Sequence, residues 1–370
     1  MSGPLRIVEL STFHESCGIA TYTEALMTAF AARGAEVMVV SPFLQVGGVA
    51  LGAQPERLWA RNRATIGQAL STVKHLRSLH PDVVHLQVNL GLFSIRFTAL
   101  LVRACRRAGL PVVATLHGRY GGRLDRRVGV SAMLLALRGV PVIVHNAEHA
   151  AEIGRADTHV IAHGIGPVQR LGLADAKRAI GVDPGRRVLA HFGFIHPDKG
   201  IAPVMRAVAE LRRRGLDLHY RVVGGTFPTR ESRGHLSELR ELGATLGLGE
   251  ALSLGGDFAT DERVLSELRA ADWVALNYTT GQNQGTSGAA RHAMRSGRPL
   301  AVSVAPVFDD LRHAAYTLTE PLADDLERML GDAELTARIA GRCRAYCDAS
   351  AWPVVASRHL ELFERVVARG

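Results

Sequence analysis

Residues 188–200 read VLAHFGFIHPDKG. The run begins with an apolar strand, Val188–Phe192, passes Gly193 and a short loop, and ends at Lys199 and Gly200, where a helical pattern starts. This order places a cation at the amino end of a helix, which is a position suited to a phosphate group. Strand–loop–helix units of this kind recur along the whole chain.

Apolar strand patterns alternate with helical patterns throughout the sequence. The strand runs are continuously apolar, which indicates parallel strands that are buried on both faces by helices. The predicted strands are Ile7–Leu10, Val37–Ser41, Val83–Gln87, Val112–Leu116, Val140–Val144, His159–Ala162, Val188–Phe192, His219–Val223, Ala251–Leu254, Trp273–Leu276 and Leu300–Val302. The predicted helices are Ala20–Ala32, Arg57–Leu79, Ser94–Arg107, Ser131–Arg138, Ala147–Gly154, Gly200–Arg214, Arg233–Leu246, Asp261–Ala270, Ser287–Ser296, Leu322–Leu330 and Ala333–Cys347.

The segment His163–Gly172 interrupts this alternation with three glycines and one proline, and we interpret it as a linker. The fold class is therefore α/β, with one doubly wound parallel-sheet domain over residues 1–165 and a second over 172–351. Such sheets bind ligands at the carboxyl ends of their strands, so we expect a central cleft. The first strand is followed by STFHESCGIA, with only Gly18, so neither a GxGxxG dinucleotide motif nor a Walker A loop is present.

Composition places the chain among ordinary globular proteins. It has 370 residues, of which 47% are apolar and 21% charged, and no apolar run approaches the roughly 18 residues of a membrane-spanning helix. No secretory signal pattern precedes the first strand. The four cysteines are too few for a disulfide framework, so we expect reduced thiols and a cytoplasmic protein.

Positive charge is concentrated in the first half. Residues 1–170 hold 18 Lys and Arg against 10 Asp and Glu, whereas 171–370 hold 26 against 25. One basic cluster lies in the predicted loop His117–Arg127, and the predicted helix Arg57–Leu79 carries five more basic residues. Three interpretations of this positive charge stay open: an ordinary solvated surface, a site that binds an anionic acceptor, and a peripheral contact with the inner face of a membrane. Nucleic acid is not expected, because aromatic residues make up only 5% of the chain. The four arginines of the cluster are Arg119, Arg123, Arg126 and Arg127.

A second candidate phosphate site lies in GQNQGTSGAARHAM, residues 281–294. It follows a predicted strand and opens a helix, so residues 285–288 can present backbone N–H groups and two hydroxyls to an anion. Together with Lys199, this predicts a diphosphate site. The residues concerned are Gly285, Thr286, Ser287 and Gly288.

These segments resemble, in order and over the full length, the retaining family 4 glycosyltransferases of GT-B architecture. The resemblance rests on CGIATYTEAL (17–26), PDVVHLQ (81–87), PVVATLHG (111–118), HVIAHGI (159–165), FGFIHPDKG (192–200) and GTSGAARHAMRSGRPLAVS (285–303), and on Trp352-Pro353 before a final helix. It implies that residues 352–370 form a helix that crosses back to the first domain.

The resemblance implies a retaining hexosyltransferase-type enzyme. It would move a sugar from a nucleotide-diphosphate sugar, bound by the second domain, to an acceptor hydroxyl on the first. The acceptor class stays open among carbohydrates, lipid-linked sugars and natural products. No metal and no other cofactor would be required. The implied donor-binding residues are Gly18, Gly193, Lys199, Gln284, Gly285, Thr286, Ser287, Gly288 and His292, and the implied catalytic residues are His117 and Lys199.

His117 also has an argument of its own, because it ends a predicted parallel strand, where active-site groups gather. A hydrogen-bonded structural histidine is the alternative. The sequence contains no Asp-x-Asp pair that could hold a metal ion on the diphosphate. We expect the adjacent Asp309 and Asp310 to cap a turn instead.

Three positions depart from the family pattern. Phe194 replaces a common arginine, and Gln284 and His292 stand where two glutamates are usual. Gln284 and His292 can each still hydrogen-bond a sugar hydroxyl, but neither supplies the negative charge of a glutamate. Two other functions therefore stay open: a non-catalytic nucleotide-sugar-binding subunit, and a nucleotide-sugar epimerase of the same architecture.

Overall fold

In the computed structural model the chain divides into two units, Met1–Gly164 with Ser350–Gly370, and Ile165–Ala349. The structure describes residues 3–15, 17–44, 54–117, 124–168, 171–226, 230–257, 259–279 and 286–369, with the backbone alone at 124–128, 130 and 230. It stays a prediction that the first unit binds the acceptor and the second unit binds the donor.

The first unit is built on a parallel sheet, which has seven strands among the described residues, in the order β3-β2-β1-β4-β5-β6-β7. The strands are β1 (Arg6–Leu10), β2 (Glu36–Pro42), β3 (Glu56–Trp59), β4 (Val83–Val88), β5 (Val112–Leu116), β6 (Val142–Val144) and β7 (Thr158–Val160). The helices are α1 (Gly18–Ala31), α2 (Ile66–Leu79), α3 (Ile95–Arg107), α4 (Leu124–Ala136), α5 (Ala147–Ile153) and, from the end of the chain, α13 (Trp352–Val367).

The second unit repeats the architecture with six parallel strands among the described residues, in the order β10-β9-β8-β11-β12-β13. The strands are β8 (Arg187–Phe192), β9 (Leu218–Val223), β10 (Leu252–Leu254), β11 (Trp273–Leu276), β12 (Leu300–Val302) and β13 (Tyr316–Thr317). The helices are α6 (Leu173–Ala179), α7 (Ile201–Arg213), α8 (Arg230–Thr245), α9 (Asp261–Arg269), α10 (Gly288–Met294), α11 (Leu322–Gly331) and α12 (Ala333–Ala349).

The helices bury both faces of the first sheet. One face packs against α2, α3 and α4, and the other against α1 and α13, where Phe30 and Phe363 meet with their ring centroids 5.8 Å apart. Strand β4 is completely buried, as a parallel strand covered on both faces must be. The predicted fold class is confirmed.

The helix predicted over Arg57–Leu79 is wrong in its first part. Residues Glu56–Trp59 form the edge strand β3, because Trp59 is buried beside Phe93 and Phe97, with ring centroids 5.6 and 5.7 Å away. The helix begins only at Ile66. Thr65 caps it by accepting a hydrogen bond from the backbone of Gln68, whose side chain binds back to Thr65.

One further expectation is corrected, and two elements of the second unit were not predicted. Residues 117–127 do not form one loop, because α4 begins at Leu124. Helix α6 lies just after the predicted linker, where the buried Lys177 ammonium is 2.9 Å from the carboxylate of Asp272. The short edge strand β13 extends the second sheet.

The four cysteines are free thiols, as expected. None of the described helices is long and apolar enough to cross a membrane.

Gly164 makes the attachment of α13 possible. A β-carbon at this position would overlap the indole ring of Trp352, the first residue of α13. The same indole lies against Tyr22 of α1, with ring centroids 5.1 Å apart. The final helix therefore packs on the first unit through a contact that requires glycine at 164.

We predict that Gly164→Ala lowers the free energy of unfolding by about 1–3 kcal/mol, the usual cost of an extra methyl group in a packed site. The matched control is Gly67→Ala in α2, where the nearest atom to the added carbon is 3.8 Å away. Thermal unfolding of both variants tests this. A Gly164→Ala protein as stable as the control would show that Trp352 does not fix the helix.

Candidate functional site

The second unit positions Lys199 through the turn that follows β8. After Gly193, which has φ +141°, the chain forms a short 3-10 turn, Pro197–Lys199, and then Gly200 with φ +63°. A β-carbon on Gly200 would overlap the backbone oxygen of Asn277. Glycine is therefore required here by backbone conformation and by space, and Lys199 is held directly before α7.

The Lys199 side chain is only 15% exposed. Its Nζ atom lies 4.1 Å from the centroid of the Tyr278 ring and 3.2 Å from a carboxylate oxygen of Asp198. Burial lowers the pKa of Lys199, and the charge of Asp198 opposes that shift. This partly dehydrated ammonium interacts more strongly with an added anion than a solvated one would.

Tyr278 connects Lys199 to the start of α10. Burial raises the pKa of its phenol, and interaction with the side chain of Ser287 opposes that rise. Ser287 caps α10 by accepting a hydrogen bond from the backbone of Ala290 at 3.1 Å. A β-carbon on Gly193 would lie 3.4 Å from the Tyr278 hydroxyl, so Gly193 lines the same place. Lys199, Gly193 and Ser287 all lie near Tyr278, whereas their shared role at a diphosphate site stays a prediction.

Thr286, Ser287 and Gly288 lie at the start of α10, where Gly288 is the first helical residue. Gln284 and Gly285 lie outside the described residues. Phe194, the third departure from the family pattern, is 41% exposed. The binding roles of all these residues stay predictions.

His292 stacks on Phe192 at the end of β8, with ring centroids 4.8 Å apart. Its Nε2 atom lies 3.1 Å from a carboxylate oxygen of Asp261, which also receives two hydrogen bonds of 3.0 Å from Arg295. Burial lowers the pKa of His292, against the charge of Asp261. A carboxylate therefore stands beside His292, although residue 292 itself supplies none.

Arg291 is a site feature that the sequence analysis missed. Its guanidinium is buried, forms an ion pair with Asp310, and donates hydrogen bonds to the Ser287 carbonyl at 3.1 Å and the Tyr346 hydroxyl at 2.9 Å. Asp309 and Asp310, which we expected to cap a turn, lie within the 3-10 helix Pro306–Leu311, where their carboxylates pair with Arg312 and Arg291. The available signal was an arginine four residues after Ser287, inside the otherwise apolar start of a helix.

In the first unit, polar side chains occupy one face of the sheet toward the carboxyl ends of the strands. His117 follows β5, and its Nε2 atom lies 2.6 Å from Gln87 Oε1. Gln87 in turn binds the carboxylate of Glu9, which is completely buried. His117 lies directly after β5, and its role at a site stays a prediction; Glu9 and Gln87 were not among the predicted residues.

Aromatic rings surround His117. Tyr22 of α1 meets it edge to face, with centroids 4.7 Å apart, and also contacts His145, His163 and Trp352. The described residues contain no group of histidines, cysteines and carboxylates arranged to hold a metal ion. Burial lowers the pKa of His117 to about 3, so the ring is neutral at physiological pH.

Gly18 is the first residue of α1, and no described heavy atom outside its own helix turn lies within 4 Å of the position a β-carbon would take there. Its predicted place over the donor phosphates stays a prediction.

The predicted basic surface is only partly described. Arg119 and Arg123 lie outside the described residues, and Arg126 and Arg127 belong to α4, with side chains that are not described. Within the region 57–61, the arginines have structural contacts: Arg57 donates to the Pro42 carbonyl at 2.8 Å, and Arg61 pairs with the buried Glu15. The anionic surface stays a prediction.

Residues 17–169, about two fifths of the chain, match the family described as Glycosyltransferase Family 4. The D-inositol 3-phosphate glycosyltransferase of Nocardia farcinica is 32% identical over 199 residues, which are 51% of this chain and 43% of that protein. The match therefore spans less than half the length of this relative. The family resemblance inferred from the motifs is confirmed over this segment.

Two solved structures extend the comparison to nearly the whole chain. Sucrose-phosphate synthase from Thermosynechococcus elongatus superposes with a TM-score of 0.71 at 16% identity, over 99% of this chain and 100% of that one. HepE from Anabaena, in complex with UDP, superposes with a TM-score of 0.76 at 18% identity, over 98% and 100%. The chain has the GT-B fold.

A second buried histidine of this GT-B chain lies behind the His117 network. His359 of α13 packs against His85, with ring centroids 5.6 Å apart, and its Nδ1 atom donates to the Val355 carbonyl at 2.8 Å. Burial lowers the pKa of His359 from 6.5 to about 3. The unfolded chain therefore takes up this proton first as the pH falls.

We predict that stability is lost on acidification below about pH 6.5. The contribution of a histidine with a lowered folded pKa is complete above its unfolded value and is lost as the pH falls toward the folded value. At pH 5, His359 alone should cost about 2 kcal/mol. His359→Gln should lose less stability than the parent protein between pH 7 and 5 in chemical denaturation. Equal losses would contradict the prediction, and the range pH 7.5–8.5 is the internal control.

Proposed function

We propose that the protein is a glycosyltransferase that moves a sugar from a nucleotide-diphosphate sugar to an acceptor hydroxyl. The observation that carries this proposal is Lys199, a largely buried ammonium fixed by Gly200 and connected through Tyr278 to Ser287. A diphosphate is the ligand chemistry that best fits a dehydrated cation beside the Gly193 turn and the capped start of α10.

In this proposal the second unit binds the donor. Lys199 contacts the diphosphate, with Ser287 and Gly288 beside it, as the family resemblance implies. His292 replaces the usual glutamate, and its neighbour Asp261 supplies the nearby negative charge. Gln284 is proposed to contact the sugar hydroxyls. The relative from Nocardia farcinica and the UDP complex of HepE support a nucleotide-sugar donor.

The chemistry that follows is electrostatic. When the bond between the sugar and the diphosphate breaks, negative charge builds up on the leaving diphosphate, and Lys199 stabilises that charge. The first unit is proposed to bind and orient the acceptor, with the neutral ring of His117 near the reacting sugar. We further propose retention of the anomeric configuration, on the basis of the family 4 resemblance, and action in the cytoplasm.

The overall test is incubation with UDP-, GDP-, ADP- and dTDP-sugars, followed by analysis of the products. A transferase releases the nucleoside diphosphate slowly without an acceptor and quickly with one. Interconversion of donor isomers would instead identify an epimerase. Tight binding with no turnover across a broad acceptor panel would identify a binding subunit.

We predict that Lys199→Ala weakens nucleoside-diphosphate binding roughly 10–100-fold, since a hydrogen bond to a charged group contributes about 1.5–3 kcal/mol. The loss of kcat should be larger, because charge develops in the transition state. Calorimetry and initial rates measure the two effects. Lys74→Ala, which removes an exposed ammonium from α2, is the matched control. Wild-type turnover in Lys199→Ala would remove the central assignment.

Metal independence is a separate prediction. In the proposed site the Lys199 ammonium compensates the diphosphate charge, and Asp309 and Asp310 are occupied by Arg312 and Arg291. We therefore expect full activity after treatment with EDTA and passage into metal-free buffer. Activity that disappears under these conditions and returns with Mg²⁺ or Mn²⁺ would show that a cation shares the diphosphate site.

A further inference from the structure

One face of the first sheet carries an unusual row of buried polar side chains. Parallel strands alternate their side chains, so Glu9 of β1 and His85 of β4, which are register partners, point to the same face. Gln87 lies two residues further along β4 on that face, and Thr115 of β5 is its register partner. All four side chains are completely buried.

The hydrogen bonds in this row have a definite direction. The Glu9 carboxylate, when ionised, can only accept, and its oxygens face His85 Nδ1 and Gln87 Nε2, both at 2.8 Å. The side-chain amide of Gln87 must therefore present its NH₂ group to Glu9, where Nε2 also lies 3.2 Å from His85 Nδ1. The opposite end of the amide, the oxygen Oε1, then faces His117.

The amide oxygen of Gln87 can only accept, and His117 Nε2 lies 2.6 Å from it. His117 Nε2 must therefore carry a proton. We propose that Glu9 and Gln87 are positioning residues that fix His117 as the neutral tautomer protonated at Nε2, with the lone pair on Nδ1. Neither residue needs to touch a substrate for this, because each acts through the next hydrogen bond.

Three other features hold the ring in place or favour its neutral form. Tyr22 packs its ring edge to face against His117, at an interplanar angle of 77°, which fixes the imidazole plane. The backbone carbonyl of His117 accepts a hydrogen bond of 3.0 Å from Asn89, which fixes the end of the strand. Burial disfavours the imidazolium form, as the lowered pKa of His117 indicates.

The tautomer defines what His117 can do. In this tautomer Nδ1 carries the lone pair and has no proton to give, so any group that hydrogen-bonds Nδ1 must act as the donor. The neutral ring adds no positive charge at the carboxyl end of β5. This role in transfer rests on the proposed function, whereas the tautomer itself depends only on the Glu9–Gln87–His117 chain.

The network provides its own control, because Glu9 has two branches. One branch runs through Gln87 to His117, and the other through His85, whose Nε2 atom lies 2.8 Å from the Thr115 hydroxyl. Thr115→Val removes a buried hydroxyl from the second branch and leaves the first intact. A general weakening of the sheet would affect both branches alike.

The direct experiment is nitrogen-15 NMR of the histidine side chains in the full chain at pH 7, with the His117 signal assigned by its loss in His117→Gln. We expect one neutral form of His117, protonated at Nε2. Gln87→Met, and separately the isosteric Glu9→Gln, should give a mixture of tautomers or the Nδ1-protonated form. Thr115→Val should leave the His117 signals in the wild-type pattern.

Kinetics provide the second readout. Gln87→Met and Glu9→Gln should lower kcat by roughly two- to tenfold, the range expected for one intramolecular hydrogen bond, with little change in the donor KM. Thr115→Val should retain the wild-type kcat.

A wild-type His117 that is protonated at Nδ1, or doubly protonated at pH 7, would overturn the inference without any variant. Retention of the single Nε2-protonated form in both variants would overturn it as well. Failure of the wild type to transfer any sugar would refute the proposed function and leave the tautomer assignment intact.

Discussion

Parallel strands that are covered by helices on both faces have little room for polar side chains, and this constraint organises the molecule. In β4 and β5 the face toward α2, α3 and α4 is apolar along its whole length. Polar groups are confined to the opposite face and become more frequent toward the carboxyl ends of the strands. His117 stands at such an end in the first unit, and Lys199 follows such an end in the second.

Burial makes each of these polar groups dependent on its partners. Leaving a buried hydrogen-bonding group unpaired costs about 1–3 kcal/mol, and more for a charge. Glu9 is therefore held by His85 and Gln87, and Arg291 is held by Asp310, Tyr346 and the Ser287 carbonyl. Such networks tolerate few alternative side-chain arrangements, so they fix the directions of hydrogen bonds as well as the positions of residues.

Much of the fold could be predicted from the sequence, because short apolar runs such as Trp273–Leu276 alternate with helical patterns, as in doubly wound parallel sheets. The turn at Lys199 was equally clear, since Gly193 and Gly200 mark it. The edge strand Glu56–Trp59 was not predicted, because its conformation is decided by the burial of Trp59 against residues far along the chain. The Arg291–Asp310 pair was missed for a related reason: its two members lie on different elements, 19 residues apart.

The preference for lysine at 199 has a physical explanation in a chain with 41 arginines and 3 lysines. An ammonium is a compact charge on a flexible stem, whereas a guanidinium is a broad planar fork that needs several acceptors. The space above the Tyr278 ring, bounded by the Asp198 carboxylate at 3.2 Å, suits the compact group. Burial weakens the hydration of this ammonium while Asp198 keeps it charged. These two contacts, with Tyr278 and Asp198, account physically for a compact, partly buried cation at position 199.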